Sequence, residues 1–425
     1  MSTGCLDVVI VAGGSGTRMK NFFPGIPKLL FEFRGGNLLE RYLSEIPARN
    51  VYISLGVNSG KITSFVKDKN LPVICCIEST PLGAFGGLKD VVKKNFEDLT
   101  QKIIVVLGDV FVTDIARDLE LVTKRNEDNC VFHSKNDHPF DSDRVVLSGT
   151  KVLDVVKKTD EAGSHKTNRT VSGIYIFNKL DILAAPFDKG DIGIDFLPFL
   201  AGKNNLSGAR LTGVLKDVGT IDRFRAIESA IDSGILSSER SKEDRRVAIF
   251  DLDGTIIEDR GSAPRAKLPP IKIVKEVLPL LRYCNENFIP VLVVTNQGDL
   301  AKGFKTLPEL QSDFWQIEVT LSDFGCWVDE IYFCPHYPID GFDGEVPELK
   351  VSCDCRKPKT GLYDQLNKIW CIEPNSSIIV GDTETDSKFA ERVKLARYFN
   401  LERDSIKRQR VVSHAIEFLA EGVVQ

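Results

Sequence analysis

Short apolar runs recur along the chain, separated by longer stretches of mixed apolar and polar residues with amphipathic character. The runs are Val8 to Ala12, Val51 to Leu55, Val73 to Ile77, Ile103 to Leu107, Val247 to Phe250, Val291 to Val294 and Ile378 to Val380. Each has strand length and β-rich composition, and the stretches between them leave room for crossover helices. This rhythm predicts an α/β protein with mostly parallel sheets and helices on both faces. Ligands of such sheets gather at the carboxyl ends of the strands, so the residues that follow each run are the place to look for chemistry. The segment 237–246 is polar, charged and without apolar periodicity. It predicts a linker between a domain at 1–236 and a second at 247–425, and 425 residues suit two domains of about 200 each.

Composition narrows the class. The chain is 42% apolar and 27% charged, as globular proteins are. A net charge of −5 supplies no basic field for nucleic acid or an anionic membrane. No apolar stretch approaches the roughly 18 residues of a membrane span. Met1 to Asp7 lack the basic and apolar regions of a secretory signal. Ten cysteines, mostly alone or within apolar runs, read as reduced thiols. Together these features predict a cytoplasmic protein that acts on small molecules, with neither nucleic acid nor membrane as partner.

The first run leads into Ala12-Gly13-Gly14-Ser15-Gly16-Thr17-Arg18. Glycines after a strand let backbone N–H groups close around an anion, and the following helix start adds positive potential. Arg18 and Lys28 can offset the charge of a triphosphate. The Gly-Gly-x-Gly-Thr-Arg pattern followed by Pro27-Lys28 resembles the sugar-1-phosphate nucleotidyltransferases, the NDP-sugar pyrophosphorylases. Further matches follow in order: Glu78 to Gly87 for the base and ribose loop, Leu107-Gly108-Asp109, and Asp217-Val218-Gly219-Thr220. The resemblance covers roughly residues 6–232 and implies a Rossmann-like domain with a GT-A-like mixed sheet. It implies nucleotide contacts at Ala12, Gly13, Gly14, Gly16, Thr17, Arg18, Glu78 and Gly83, with Mg²⁺ held by Asp109 and Asp217. A sugar-phosphate oxygen would attack the α-phosphorus of a nucleoside triphosphate and release pyrophosphate, helped mainly by positioning and fixed charge. Lys28 and Lys158 are the expected sugar-phosphate contacts. The chain departs from the family at Lys157-Lys158-Thr159, commonly Glu-Lys-Pro, and at Val171-Ser172-Gly173, often Asn-Ala-Gly.

The second half carries an independent set. Val247 to Phe250 runs into Asp251-Leu252-Asp253-Gly254-Thr255. Alternation along the strand aims both aspartates the same way, and a divalent cation would relieve their repulsion. Asp251 is then the expected nucleophile toward a phosphate monoester, and Asp253 the expected acid and base. Thr295 and Asn296 are expected to hydrogen-bond the phosphate, and Lys357 to supply a fixed positive charge. Asp382 is an expected Mg²⁺ ligand beside Asp251 and Asp253, with Asp386 in support. The constellation resembles the haloacid-dehalogenase phosphatases, which implies a doubly wound parallel sheet.

Cys334 and His336, then Cys353 and Cys355, offer three thiolates and one imidazole, a set suited to a closed structural Zn²⁺ site. With the Asp-x-Asp-Gly-Thr, Thr-Asn-Gln and Arg356-Lys357-Pro358 motifs, this clip resembles one branch of that superfamily, whose small members lack a large cap. The branch holds D-glycero-D-manno-heptose-1,7-bisphosphate phosphatases and histidinol-phosphate phosphatases, and both substrates stay open. It implies substrate contacts at Arg356 and Lys357. A heptose substrate would join the halves into consecutive steps: loss of the 7-phosphate, then transfer of a nucleotidyl group, expected to come from GTP, to the heptose 1-phosphate. The alternatives are a mannose-1-phosphate type of transferase, or a first half that only senses nucleotide sugars.

Overall fold

The computed structural model describes residues 6–14, 19, 21–56, 59–125, 127–136, 138, 140, 142–158, 167–233, 236 and 245–421. The chain divides into two compact units: Met1–Ser134 with Phe140–Ser237, and Lys135–Pro139 with Ser238–Gln425. Residues 237–244 of the expected linker lie outside the described residues.

The first unit is built on a nine-stranded sheet. Val73–Ile77, Val51–Leu55, Asp7–Val11 and Lys102–Leu107 lie side by side and parallel, as the apolar runs predict. Beyond them the sheet changes direction. Thr170–Asn178 runs antiparallel to Lys102–Leu107, and Cys130–Ser134 runs antiparallel to it in turn. Ser207–Arg210, Lys151–Val156 and Arg144–Ser148 complete the sheet. The last two form a hairpin whose turn needs Gly149, at φ +59°. A two-residue connection can only return a strand antiparallel, so the mostly parallel expectation holds for one half of this sheet and the mixed arrangement for the whole. A smaller ladder pairs Val110–Val112 with Leu215–Asp217.

The second unit has five strands, all parallel, in the order Glu330–Cys334, Val291–Asn296, Ala248–Phe250, Ile378–Gly381 and Arg397–Asn400. The strand that is first in sequence is central in space, so both faces of the sheet must be covered. Ala248, Phe250, Val291 and Val293 pack into one buried cluster, and Val247, Ile249, Leu292 and Val294 into another on the opposite face. The central strand ends at Asp251. Among the described residues no helix is long and apolar enough to cross a membrane.

Trp370 closes the helix Gly361–Trp370 and is 1% exposed within the second cluster, with its indole N–H donating to Tyr332 Oη at 3.0 Å. Trp370→Ala should destabilise the second unit by about 3–5 kcal/mol, read from chemical denaturation. A loss below about 1 kcal/mol would show that the indole is not a core element.

Candidate active sites

In the first unit, Asp7–Val11 and Lys102–Leu107 end together. Gly108 N donates to Val11 O at 2.9 Å, and a Cβ on Gly108 would stand 2.9 Å from that of Ala12. Glycine at 108 thus lets the start of the glycine loop meet the turn that carries Asp109. Glu78 is buried against the same loop. Its carboxylate accepts from Leu82 N at 3.1 Å and from Ser54 Oγ at 3.5 Å, and a Cβ on Gly13 would lie 3.1 Å from it. Ala12, Gly13, Gly14 and Glu78 are therefore gathered at one end of the sheet, whereas Gly16, Thr17 and Arg18 lie outside the described residues. Gly83 is needed for packing: at φ +78°, a Cβ there would stand 2.5 Å from Gly190 O. Lys158 is exposed, and its backbone N–H donates to Asp143 Oδ1 at 3.0 Å.

Asp109 and Asp217 come from distant parts of the chain to adjacent backbone positions. Asp217 faces Val110 across the small ladder, and Val218 N donates to Asp109 O at 2.9 Å. Each carboxylate has a cation against it. Lys28 Nζ lies 2.8 Å from Asp109 Oδ2, and Arg223 Nη1 pairs with Asp217 Oδ2. Burial alone would raise the pKa of Asp217, but Arg223, and behind it Lys28, hold it below the usual carboxylate range. Two half-exposed carboxylates suit Mg²⁺, which keeps several waters and takes few protein oxygens. Arg223 has no place in the motif reading. Its signal was positional: Thr220 caps the helix Ile221–Asp232, which sets Arg223 one turn inside and close to Asp217.

In the second unit the site grows from the ends of three adjacent strands. Lys357 Nζ lies 2.6 Å from both Asp251 Oδ1 and Asp386 Oδ1, all three side chains being buried. Asp386 also caps its helix, accepting from Thr383 N at 3.2 Å and from Thr383 Oγ1 at 2.5 Å. Asp251, Asp382 and Asp386 each offer an oxygen within 4.8 Å of the others. Burial raises the pKa of Asp251, and the charges of Asp386 and Asp253 raise it further against the pull of Lys357. Asp382 is pushed up to about 6, by burial first and then by Asp386. One ammonium cannot balance three carboxylates, and Asp382 Oδ1 is buried with no hydrogen-bond partner among the described residues. An orphaned oxygen within an excess of negative charge fits a divalent cation.

Asp253 stands apart from that acidic group. Its carboxylate accepts from Gln297 Nε2 at 2.9 Å, and burial raises its pKa, which favours the protonated form an acid needs. Among the described residues the acidic group that could hold a metal comprises Asp251, Asp382 and Asp386, and Asp253 is not in it. Asn296 also differs from expectation. Its amide accepts from Lys357 N at 2.9 Å and donates to Lys357 O at 3.1 Å, so it clamps the lysine backbone. Thr295 accepts from Gln297 Nε2 at 3.1 Å. Gln297 belonged to a quoted motif but carried no assigned role; its spacing two residues from Thr295 was the available clue.

Beside this site, Cys334, His336, Cys353 and Cys355 converge. Their sulfur–sulfur separations are 3.1, 3.2 and 3.5 Å, and His336 Nδ1 lies 3.2 Å from Cys355 Sγ and 3.7 Å from Cys334 Sγ. A tetrahedral Zn²⁺ with Zn–S bonds of about 2.3 Å has edges of about 3.8 Å, so the donor set fits after a small expansion. Cys334 lies opposite Asn296 in the sheet, and Arg356 Nη1 donates to His336 O at 3.0 Å. The cluster is thus joined to the backbone clamp on Lys357 from both sides.

Two family models match the chain, a MobA-like NTP transferase domain over residues 8–171 and a polynucleotide kinase 3 phosphatase over residues 246–399. The D-glycero-alpha-D-manno-heptose-1,7-bisphosphate 7-phosphatase of Photorhabdus laumondii subsp. laumondii is 31% identical over 156 residues, 36% of this chain and 81% of that protein. The D-glycero-beta-D-manno-heptose-1,7-bisphosphate 7-phosphatase of Haemophilus ducreyi is 32% identical, over 35% of this chain and 78% of that protein. A crystal structure of HddC from Yersinia pseudotuberculosis is 24% identical with a TM-score of 0.45, covering 53% of this chain and 99% of that one. The chain is a fusion of a nucleotidyltransferase and a phosphatase, an enzyme with both activities. Over the part these relatives cover, it belongs to the family of D-glycero-D-manno-heptose-1,7-bisphosphate 7-phosphatases.

Gly254 sits at φ +83°, and a Cβ there would meet Asp382 Oδ2 at 2.1 Å. Gly254→Ala should therefore lower phosphate release about 100-fold, since a misplacement near 1 Å is enough for that. Nucleotidyl transfer measured on the same sample should be unchanged. Undiminished phosphate release would show that Asp382 need not stay where it is.

Proposed function

We propose that the chain removes the 7-phosphate of D-glycero-D-manno-heptose 1,7-bisphosphate and then transfers a nucleotidyl group, GMP from GTP, to the heptose 1-phosphate. The domain limits would be 1–236 and 247–425, and soluble phosphorylated substrates suit a cytoplasmic location. The observation that carries the reading is the buried Lys357 ammonium 2.6 Å from Asp251, beside Asp253 held by Gln297. This is a nucleophile next to a separate proton donor, and relatives with the same activity in their names cover this part of the chain.

In the first step an Asp251 oxygen bonds to phosphorus and the bond from phosphorus to the sugar oxygen breaks. Asp253 gives its proton to that oxygen. Asp253 then takes a proton from water as the water oxygen attacks phosphorus, the bond to Asp251 breaks, and inorganic phosphate leaves. Lys357 keeps Asp251 in place and offsets charge on the phosphoryl oxygens. In the second step a phosphate oxygen of the sugar 1-phosphate attacks the α-phosphorus and pyrophosphate leaves, with Lys28 and the glycine loop aligning the reactants. Mg²⁺, when held by Asp109 and Asp217 or by Asp251, Asp382 and Asp386, neutralises phosphate oxygens in each site. Zn²⁺ on the thiolate cluster would be structural, because four protein donors leave no open position.

The experiment supplies the 1,7-bisphosphate with Mg²⁺ and each nucleoside triphosphate in turn, with histidinol phosphate in a parallel arm, and identifies products by mass. GDP-heptose is the expected product. Faster phosphate release from histidinol phosphate would overturn the heptose assignment. Asp251→Asn should abolish phosphate release and spare transfer to supplied heptose 1-phosphate, and Asp109→Ala should do the reverse. Loss of both activities from either variant, with the protein still folded, would refute two separate sites.

Elemental analysis should find about one zinc per chain, and Cys353→Ser should lower that content and the thermal stability of the phosphatase half together. A zinc content unaffected by the substitution would place the metal elsewhere.

A further inference from the structure

We infer that Tyr42 is a positioning residue for nucleotidyl transfer: its hydroxyl grips the Leu107–Val110 turn on both sides of Asp109 and so fixes where that carboxylate is presented. The inference rests on the reading of Asp109 as a carboxylate of the transfer site.

Tyr42 lies on the helix Leu38–Glu45, which packs against both the Lys28–Leu30 turn and the Val110–Val112 strand. Its oxygen accepts from Val110 N at 3.1 Å, and its single proton faces Val110 O and, at 3.1 Å, Leu107 O. Three backbone groups flanking Asp109 thus converge on one atom. The ring is 2% exposed, and the phenol stays protonated because burial, and then the charge of Asp109, raise its pKa. Near Gly173 the turn is closely packed: a Cβ there would touch the Leu107 and Val110 side chains at 3.1 Å. Lys28 reaches the Asp109 carboxylate, whereas Tyr42 holds the backbone of the turn itself. The same helix supports Lys28, whose ammonium lies 2.8 Å from Asp109, so one element sets both members of that pair. Phenylalanine would fill the same space and satisfy the packing. It would leave Val110 N and the carbonyls to find other partners, and the turn would shift or loosen.

Tyr42→Phe in the full chain tests this. The half-saturating Mg²⁺ concentration for pyrophosphate formation should rise about tenfold, as when a group that orients a metal ligand is removed. The KM for the sugar phosphate should change less than the Mg²⁺ dependence, because the helix that supports Lys28 keeps its packing when phenylalanine fills the same space. Deuterium exchange should accelerate in the peptide spanning 103–112 and stay unchanged elsewhere in the first unit. Phosphate release by the second unit is the internal control. Unchanged Mg²⁺ dependence with unchanged exchange would overturn the inference. So would faster exchange spread through the whole unit, which is the mark of a purely structural role. If the unsubstituted protein forms no pyrophosphate from any sugar phosphate and nucleoside triphosphate, the transfer reading fails, and local exchange at 103–112 alone decides whether Tyr42 holds the turn.

Discussion

The phosphatase half depends on a single ammonium, that of Lys357, placed between two buried carboxylates. Removing the ammonium would leave Asp251 and Asp386 facing each other without water, and removing the carboxylates would strand a buried cation; either loss costs about 3–5 kcal/mol. A group with so much at stake has to be held by more than its own ion pairs. Asn296 clamps its backbone from one side, and Arg356, the residue before it, donates from its guanidinium to His336 O on the other. The cysteine and histidine cluster stands where these two restraints meet. Joined by a metal, its four donors would keep the end of one strand and the lysine loop in a fixed relation.

The two sites handle charge differently. In the first unit each carboxylate has its own cation, Lys28 for Asp109 and Arg223 for Asp217, and the pairs are partly open to water. Among the described residues each of these two carboxylates is already paired before any ligand arrives. In the second unit one buried lysine faces two buried carboxylates with a third, half-buried one beside them, and the surplus appears as raised pKa values and an orphaned oxygen. A phosphate dianion meets repulsion there until a cation is present, whereas a nucleoside triphosphate can bring its own counter-ion to the first site.

Much of this was legible because strand ends announce themselves. Asp251, Asp109 and Asp382 each follow an apolar run, and in parallel sheets that position is where ligands bind. The thiolate cluster was legible for a similar reason, since paired donors at short spacing leave few geometries. What stayed hidden was which atom each side chain would choose. Asn296 has the chemistry to bind phosphate, and its amide is also engaged by the backbone of Lys357, brought beside it from 61 residues away. Asp253 meets Gln297 whereas Asp386 meets Lys357, a difference that spacing along the chain does not reveal. Direction in the second half of the first sheet is not written in its runs: Thr170–Asn178 is nine residues long and almost wholly buried, and nothing in such a run says whether its neighbour lies parallel or antiparallel. Arg223 and Tyr42 lie in amphipathic helices, where an ordinary surface or core position looks the same in sequence.

The central place of Ala248–Phe250 in its sheet has a consequence in time. Its two neighbours are Val291–Asn296 and Ile378–Gly381, so the strand bearing the nucleophile leaves the ribosome long before one of its flanks exists. The strands of the first unit, Asp7–Val11 through Leu215–Asp217, are all made before Ala248–Phe250. Synthesis proceeds from the amino end, so a nascent chain acquires the transferase scaffold first, and hydrolytic competence only when Asp382, Asp386 and their strand emerge.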